Sequence, residues 1–103
     1  MPKSGEVVLA KVQFTDTFEI KKRPALVLFE EYNNVVVAGI TSSTDKSGIL
    51  LTQKDGAIKD SVIKLNYIFT ISSAMIEKVL FTLPQEKKKK VHDELVKRLD
   101  MLG

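Results

Sequence analysis

The sequence predicts a mostly β fold that ends in a single helix. Two-residue alternation of apolar side chains and short apolar runs between turn-rich segments occupy most of the chain, and both are typical of strands. Only the C-terminal segment spaces its apolar residues three and four apart, as a helix does. Since 103 residues support one modest core, we expect a single domain over 1–103, with a β-barrel at about 5–83 and a helix at about 84–102.

The first three strands are predicted from the N-terminal half. Every second residue from Glu6 to Phe14 is apolar, which favours a strand buried on one face. The polar segment 15–22 is predicted to be a loop. Two apolar runs follow at 25–29 and 35–40, and the asparagines between them favour a turn, so we expect a hairpin. Unbroken apolar runs indicate the centre of a strongly curved sheet or small barrel.

Two further strands are predicted beyond the polar segment after Ile40. Residues 49–52 form a short apolar run that ends near a hairpin-type turn signal at 54–56. Alternation from Ser61 to Phe69 predicts a longer strand. Lys64 and Asn66 are then expected on the face opposite to the larger apolar side chains, which are Ile63, Leu65, Tyr67 and Phe69.

The C-terminal third contains an ambiguous segment and then the helix. Ser72-Ser73 suits the cap of a short helical turn, and 79–83 suits a returning strand. Pro84 favours a helix start, and the apolar stripe of that helix is Val91, Leu95, Leu99 and Leu102. The run from Lys87 to Lys90 lies in the first turns, where the helix macrodipole disfavours positive charge. A solvated helix face is the favoured interpretation of this run, and an acidic or nucleic-acid partner is the alternative.

Composition excludes several classes of protein. The chain lacks cysteine, which removes disulfides and thiolate chemistry, and it carries a net charge of +3 with a pI near 9.2. Because there is neither a signal-type apolar core near Met1 nor a long apolar run, we expect a cytoplasmic protein without a membrane segment. His92 is the only histidine, and the glycines lack the spacing of a phosphate loop. We therefore expect no metal site and no cofactor.

Arg23 and Thr41 are the candidate site residues that the pattern suggests. Arg23 stands where a basic segment enters a predicted strand, and Thr41 and Ser42 stand where the next strand ends. In a hairpin these positions lie near the same end. A guanidinium beside hydroxyl groups suits a phosphodiester, and a fixed cation stabilises the charge formed when a ribose 2′-hydroxyl attacks phosphorus. From spacing alone, ordinary strand-end residues remain the favoured interpretation.

Four blocks of the chain together resemble the MazF/PemK family of toxin endoribonucleases. The opening Gly5-Glu6-Val7-Val8 is similar to the family's Gly-acidic-Val pattern, and 22–28 is similar to its loop-to-strand motif. Residues 37–42 and 60–65 resemble its next two signatures. The likeness covers nearly the whole chain, and the four blocks in this order are more specific than any one of them.

The resemblance implies an SH3-like β-barrel with a C-terminal helix, a homodimer, and metal-independent cleavage of single-stranded RNA, usually messenger RNA. It also implies a cognate acidic antitoxin as partner. Arg23 matches the catalytic arginine, and Thr41 matches the residue that holds and activates the scissile phosphate. The RNA-binding residues expected beside them are Lys22, Ser42, Lys64 and Phe18, of which Phe18 would either stack on a base or cover the core.

The chain departs from the family in the strand near Lys64. In one branch of the family an arginine and an aspartate in this strand form the catalytic pair, and the matching positions here are Lys64 and Asn66. Many members also carry an arginine where this chain has Phe69. An amide cannot act as a carboxylate base, and lysine lacks the two-pronged geometry of arginine. A non-catalytic module that binds RNA or protein is therefore the alternative. A DNA-gyrase poison of the same fold ranks third, since the chain has no tryptophan to match the tail of those relatives.

Overall fold

A computed structural model describes residues 2–12, 21–42 and 48–103. The main elements, in chain order, are β1 (Glu6–Val12), β2 (Lys21–Glu31), β3 (Asn34–Thr41), β4 (Ile49–Leu51), β5 (Ser61–Ser72), β6 (Ile76–Thr82) and α1 (Gln85–Leu99). The predicted fold class, mostly β with a C-terminal helix, is confirmed.

The six strands form one antiparallel sheet in the order β4-β5-β3-β2-β1-β6. Strands β5 and β6 occupy its second and sixth positions, which in a flat sheet would lie about 19 Å apart. They are nevertheless joined by one short 3-10 turn, Ser73–Met75, that spans roughly 6 Å. The sheet must therefore curl into a half-barrel. The unbroken apolar runs of its two central strands, β2 and β3, predicted such a strongly curved sheet.

The connection between β5 and β6 resolves the ambiguity of 71–83. The hydroxyl oxygen of Ser72 accepts a hydrogen bond from the amide of Ala74 at 3.3 Å, so a serine caps a short helical turn as predicted. The returning strand is also confirmed, although it begins at Ile76, three residues earlier than expected.

Strand β2 begins earlier than the sequence predicted. Lys21 and Lys22 were expected in a loop, but they pair with Val12 and Lys11 of β1. Pairing with β1 extends the strand through these two lysines, although charged residues disfavour burial. Both side chains remain exposed. Residues 13–20, which include the end of the predicted first strand, most of the predicted loop and Phe18, lie outside the described ranges.

The predicted β2–β3 hairpin is confirmed, and its turn consists of Tyr32 and Asn33. Both have positive φ, 52° and 66°, as two-residue turns that match the twist of a hairpin require. An asparagine was expected to adopt this conformation, but the tyrosine was not.

Two apolar clusters cover opposite faces of the sheet. The barrel cluster lies on one face and consists of Val8, Ala10, Val12, Ala25, Val27, Val35 and Val37, with Phe69, Ile71 and Ile76 packed against them. The helix cluster lies under α1 and includes Val7, Leu26, Ala38, Ile40, Ile49, Leu51, Ile63, Leu65, Leu83 and Val91, with Leu95 partly buried beside them. Both faces of the central strands are thus covered.

The alternation predicted for β5 is wrong beyond Leu65. The partner of Ala38 is Ile68 and the partner of Gly39 is Lys64, so the register shifts and 65–67 are extra residues on β5. An odd number of extra residues moves later side chains to the other face. Ile63 and Leu65 consequently join the helix cluster, whereas Phe69 packs against the barrel cluster.

Helix α1 begins directly after Pro84, as predicted. Val91 and Leu95 of its apolar stripe pack against the sheet, but Leu99 and Leu102 are 61% and 87% exposed because the stripe continues past the helix cluster. None of the helices within the described ranges has both the length and the apolar character that crossing a membrane requires.

Candidate functional site

Arg23 and Thr41 lie on neighbouring strands at the same end of the β2–β3 hairpin. The last paired residues of this ladder are Ala25 and Gly39. Arg23 stands two residues before Ala25, and Thr41 stands two residues after Gly39. Both are partly buried, so neither is sealed within the core nor fully in solvent. The hairpin that the sequence predicted therefore brings its two best site candidates to one end.

The side chains of these two residues also share a face of the sheet. Arg23 pairs with Ala10 of β1, which belongs to the barrel cluster, and directly paired residues project to the same side. Thr41 follows Gly39 by two residues, and Gly39 lies in register with Ala25 of the same cluster. The guanidinium and the hydroxyl accordingly project from the face of the barrel cluster.

Lys64, on β5, projects from the same face. It pairs with Gly39, which carries no side chain, and it is only 7% exposed. Its Nζ lies over the ring of Tyr67, 5.5 Å from the centroid. Asn66, the other residue at a position of the catalytic pair, is exposed within the extra residues of β5.

Lys21, rather than Lys22, shares the face of Arg23. Lys21 pairs with Val12 of the barrel cluster. Lys22 projects from the opposite face, where its Nζ lies 3.1 Å from Oε1 of Glu77 on β6. Sequence reasoning overlooked Lys21 because it placed 15–22 in a loop, and alternation assigns side chains to faces only within a strand. Three cations, Lys21, Arg23 and Lys64, therefore project from one end of the barrel-cluster face, and such an arrangement suits a polyanion.

Gly48 lies close against β5 near the candidate site. A Cβ at Gly48 would collide with the carbonyl oxygen of Ile63 and with Cγ1 of Val62 on β5. Since Val62 pairs with Thr41, the glycine allows the backbone at 48 to lie near the strand position beside the candidate site. Ser42, the residue after Thr41, is exposed.

The four lysines at 87–90 of α1 have different surroundings. Lys87 donates a hydrogen bond to the carbonyl oxygen of Leu50 at 2.7 Å and lies 3.7 Å from Oδ2 of the buried Asp55. The stem of Lys88 packs near Gly5. Lys89 and Lys90 are exposed, so the predicted solvated face describes only the second half of the run.

His92 lies on the exposed side of α1, remote from the hairpin end. Its Nδ1 is 3.3 Å from Oδ1 of Asp93. This hydrogen bond lowers the pKa of Asp93 below its ordinary value, partial desolvation opposes the change, and the charge of Lys89, 3.6 Å away, lowers it further. The arrangement is a surface charge cluster at a distance from Arg23 and Thr41 in the fold.

Comparison with protein families finds one that matches almost the entire chain. The model of the PemK-like, MazF-like toxins of type II toxin–antitoxin systems matches residues 3–99. A search of curated proteins finds no match.

Solved structures with the same fold include three toxins. A toxin MazF-mt6 of Mycobacterium tuberculosis is 20% identical with a TM-score of 0.76, covering 92% of this chain and 96% of its own. A MazE–MazF structure from Deinococcus radiodurans is 20% identical with a TM-score of 0.77, at 97% and 96% coverage. A mycobacterial endoribonuclease in complex with its cognate antitoxin is 14% identical with a TM-score of 0.75, at 96% and 93% coverage. At these identities the likeness establishes the fold.

Proposed function

This chain belongs to the family of PemK-like, MazF-like toxins of type II toxin–antitoxin systems, and on that basis we propose that it is an endoribonuclease that cleaves single-stranded messenger RNA. The reaction requires no metal or other cofactor. The toxin acts in the cytoplasm as a homodimer, and a cognate acidic antitoxin restrains it.

The observation that carries the proposal is the placement of Arg23 and Thr41. They stand at matching positions beyond the last pair of the β2–β3 ladder and on one face of the sheet. Lys21 and Lys64 add positive charge to the same face. A strand of RNA carries one negative charge per nucleotide, so this end of the barrel attracts it electrostatically.

Arg23 and Thr41 have complementary roles in the proposed reaction. The 2′-oxygen of the ribose loses its proton and forms a bond to the adjacent phosphorus, while the bond from phosphorus to the 5′-oxygen breaks and that oxygen gains a proton. Negative charge accumulates on the non-bridging oxygens in between. The Arg23 guanidinium contacts two of these oxygens at once, and the Thr41 hydroxyl donates a hydrogen bond that holds the phosphate.

The charge of the chain supports both proposed macromolecular partners. A net charge of +3 and a pI near 9.2 favour association with RNA and with an acidic protein. The mycobacterial endoribonuclease named above was solved with its cognate antitoxin. We extend that kind of partner to this chain because of the shared family and the basic residues on the barrel-cluster face.

A non-catalytic RNA-binding module is the second candidate, and the surroundings of β5 favour it. Lys64 is 7% exposed, and Phe69, at a position where relatives carry an arginine, packs into the barrel cluster. A buried lysine and a packed phenylalanine stabilise the charge on a reacting phosphate less than an exposed charged pair would. The two candidates differ in cleavage, not in binding.

The decisive experiment replaces Arg23 and measures cleavage of single-stranded RNA in EDTA. We expect Arg23→Ala to reduce the cleavage rate about 10²- to 10³-fold, as loss of a group that stabilises a developing oxyanion does. Arg23→Lys retains the charge without the fork and should be intermediate. The matched control is Arg98→Ala on α1, where the arginine is paired with Glu94 3.2 Å away and lies outside the site.

Circular dichroism should show the same fold for both alanine variants. Thr41→Ser should keep most activity, whereas Thr41→Val should lose it. Undiminished cleavage by Arg23→Ala would remove this residue from the mechanism. If the wild-type protein binds varied RNAs and cleaves none of them, the non-catalytic module is the correct function.

A further inference from the structure

Tyr67 is exposed at a point where β5 departs from regular pairing. Residues 65–67 are extra on β5 between the partners of Ala38 and Gly39. Leu65 turns inward and is 3% exposed, whereas Tyr67 is 43% exposed. Bulges of this kind re-aim side chains and are common beside functional sites. The irregularity therefore presents an aromatic ring to solvent from the middle of the longest strand.

Lys64 holds the Tyr67 ring from one side. Its stem is buried opposite Gly39, where no side chain competes for space, and its Nζ lies over the ring, 5.5 Å from the centroid. A cation at this distance is attracted to the electron-rich face of the ring. One ring face thus lies against the ammonium group, and 43% of the Tyr67 surface is exposed to solvent.

The pair stands next to the candidate site. Lys64 is the partner of Gly39, and Thr41 follows Gly39 by two residues on the same face of β3, a distance of roughly 7 Å along the strand. A phosphate held by Arg23 and Thr41 would therefore have Lys64 beside it, and the Tyr67 ring would lie beyond Lys64, on the side of the neighbouring nucleotide.

We propose that Tyr67 is a base-binding residue, whose ring stacks on a nucleobase adjacent to the scissile phosphate while Lys64 fixes the orientation of the ring. This inference rests on the proposed function, since it places the substrate of the same site. Stacking on an aromatic side chain is favourable for every base. Tyr67 consequently contributes binding affinity and positions the attacking ribose. Stacking does not depend on the hydrogen-bonding groups of the base.

The chain itself supplies a specific optical probe. It contains two tyrosines and no tryptophan, so Tyr32→Phe leaves Tyr67 as the only strong fluorophore. The ligand is a single-stranded 2′-O-methyl oligonucleotide, which binds as RNA does but has no free 2′-hydroxyl to attack. We expect the fluorescence of Tyr32→Phe to fall on titration. The matched control is Tyr67→Phe, where the signal comes from Tyr32 at the opposite end of β2, and it should stay constant.

Affinity gives the second measurement. Tyr67→Ala should weaken binding of the oligonucleotide roughly tenfold, within the range for loss of one stacked base. Tyr67→Phe should bind like wild type because it keeps the ring, and Tyr32→Ala should do the same. Thermal unfolding of each variant confirms that the native fold is present.

The outcomes separate this inference from the proposed function. Binding by Tyr32→Phe without a change in fluorescence, or unaltered affinity of Tyr67→Ala, overturns the role of Tyr67 even if the wild-type enzyme cleaves RNA. Quenching and a tenfold loss in a protein that never cleaves support the role and overturn the endoribonuclease. A wild-type protein that does not bind the oligonucleotide overturns both.

Discussion

Lys87 has surroundings unlike those of its neighbours in the lysine run. It joins α1 to the carbonyl of Leu50 on the short edge strand β4 and to the buried carboxylate of Asp55. Asp55 also accepts hydrogen bonds from the amide nitrogen and the hydroxyl of Thr52, at 2.9 and 3.3 Å. A single side chain therefore connects the helix, an exposed strand edge and the turn that follows it.

We expect Lys87→Ala to lower the free energy of unfolding by about 1–3 kcal/mol, because it leaves a buried carboxylate with one partner fewer. The measurement is the midpoint of urea denaturation at neutral pH. Lys89→Ala is the control, since the Lys89 side chain is 74% exposed and its ion pair with Asp93 lies at the surface. Equal midpoints for the two variants would show that the contacts of Lys87 do not stabilise the fold.

Tyr32 adopts a backbone conformation that is unfavourable for its residue type. Its φ is 52° and its side chain is 91% exposed, so little packing compensates for the conformation. A left-handed conformation costs an L-residue about 1–2 kcal/mol, and asparagine adopts it more readily than most residues.

Tyr32→Asn should therefore raise the free energy of unfolding by roughly 0.5–1 kcal/mol. Thermal unfolding monitored by circular dichroism detects the change, and Tyr32→Phe, which keeps the ring and the backbone preference, should unfold at the wild-type temperature. A lower melting temperature for Tyr32→Asn would indicate that the tyrosine ring has a stabilising contact.

At the scale of elements, β5 is the strand that organises the site. Its first half faces Thr41 and Gly39 of β3 through Val62 and Lys64, and its second half fills the barrel through Phe69. The extra residues 65–67 allow one strand to serve both sides of the sheet. Gly48 also lies close against this strand.

Gly48→Ala should destabilise the protein by about 1–3 kcal/mol, because the added methyl group meets backbone atoms of β5 and cannot be accommodated by a rotamer change. Urea denaturation measures the loss. Gly103→Ala is the control, since a methyl group there would meet no atom within 4 Å. Wild-type stability of Gly48→Ala would mean that the backbone at 48 has room to move away from β5.

At the scale of the whole molecule, the half-barrel has an apolar cavity on the face of the sheet opposite the barrel cluster. This cavity of about 430 Å³ reaches from β6 to β4, with Val7, Leu9, Leu51 and Leu80 among its lining residues. Ile58, also in the lining, is 88% exposed. A projecting apolar side chain next to an apolar cavity on one surface suits a two-fold contact between identical copies.

We therefore expect light scattering to report a mass of twice 11.5 kDa at micromolar concentration. Ile58→Asp should shift the protein toward the monomer, because it introduces a charge into the apolar contact. Met101→Asp is the control, since Met101 is equally exposed, at 86%, but lies at the end of the chain. A wild-type mass of 11.5 kDa would contradict the homodimer.

Local patterns in the sequence sufficed for the central hairpin, the serine-capped turn, the returning strand and the start of α1. The placement of Arg23 and Thr41 at one end of this hairpin was also predictable, because each stands next to an apolar run. These features depend on residues close together in the chain, where periodicity and turn preferences act.

Tertiary structure alone decided the faces of Lys21 and Lys22, the burial of Lys87 and the exposure of Tyr67. Each depends on a partner distant in the chain: β1 for the two lysines, β4 and Asp55 for Lys87, and β3 for the register of β5. The alternation within one segment predicts that a strand exists. After a register shift, however, the neighbouring strand decides which face of that strand is buried.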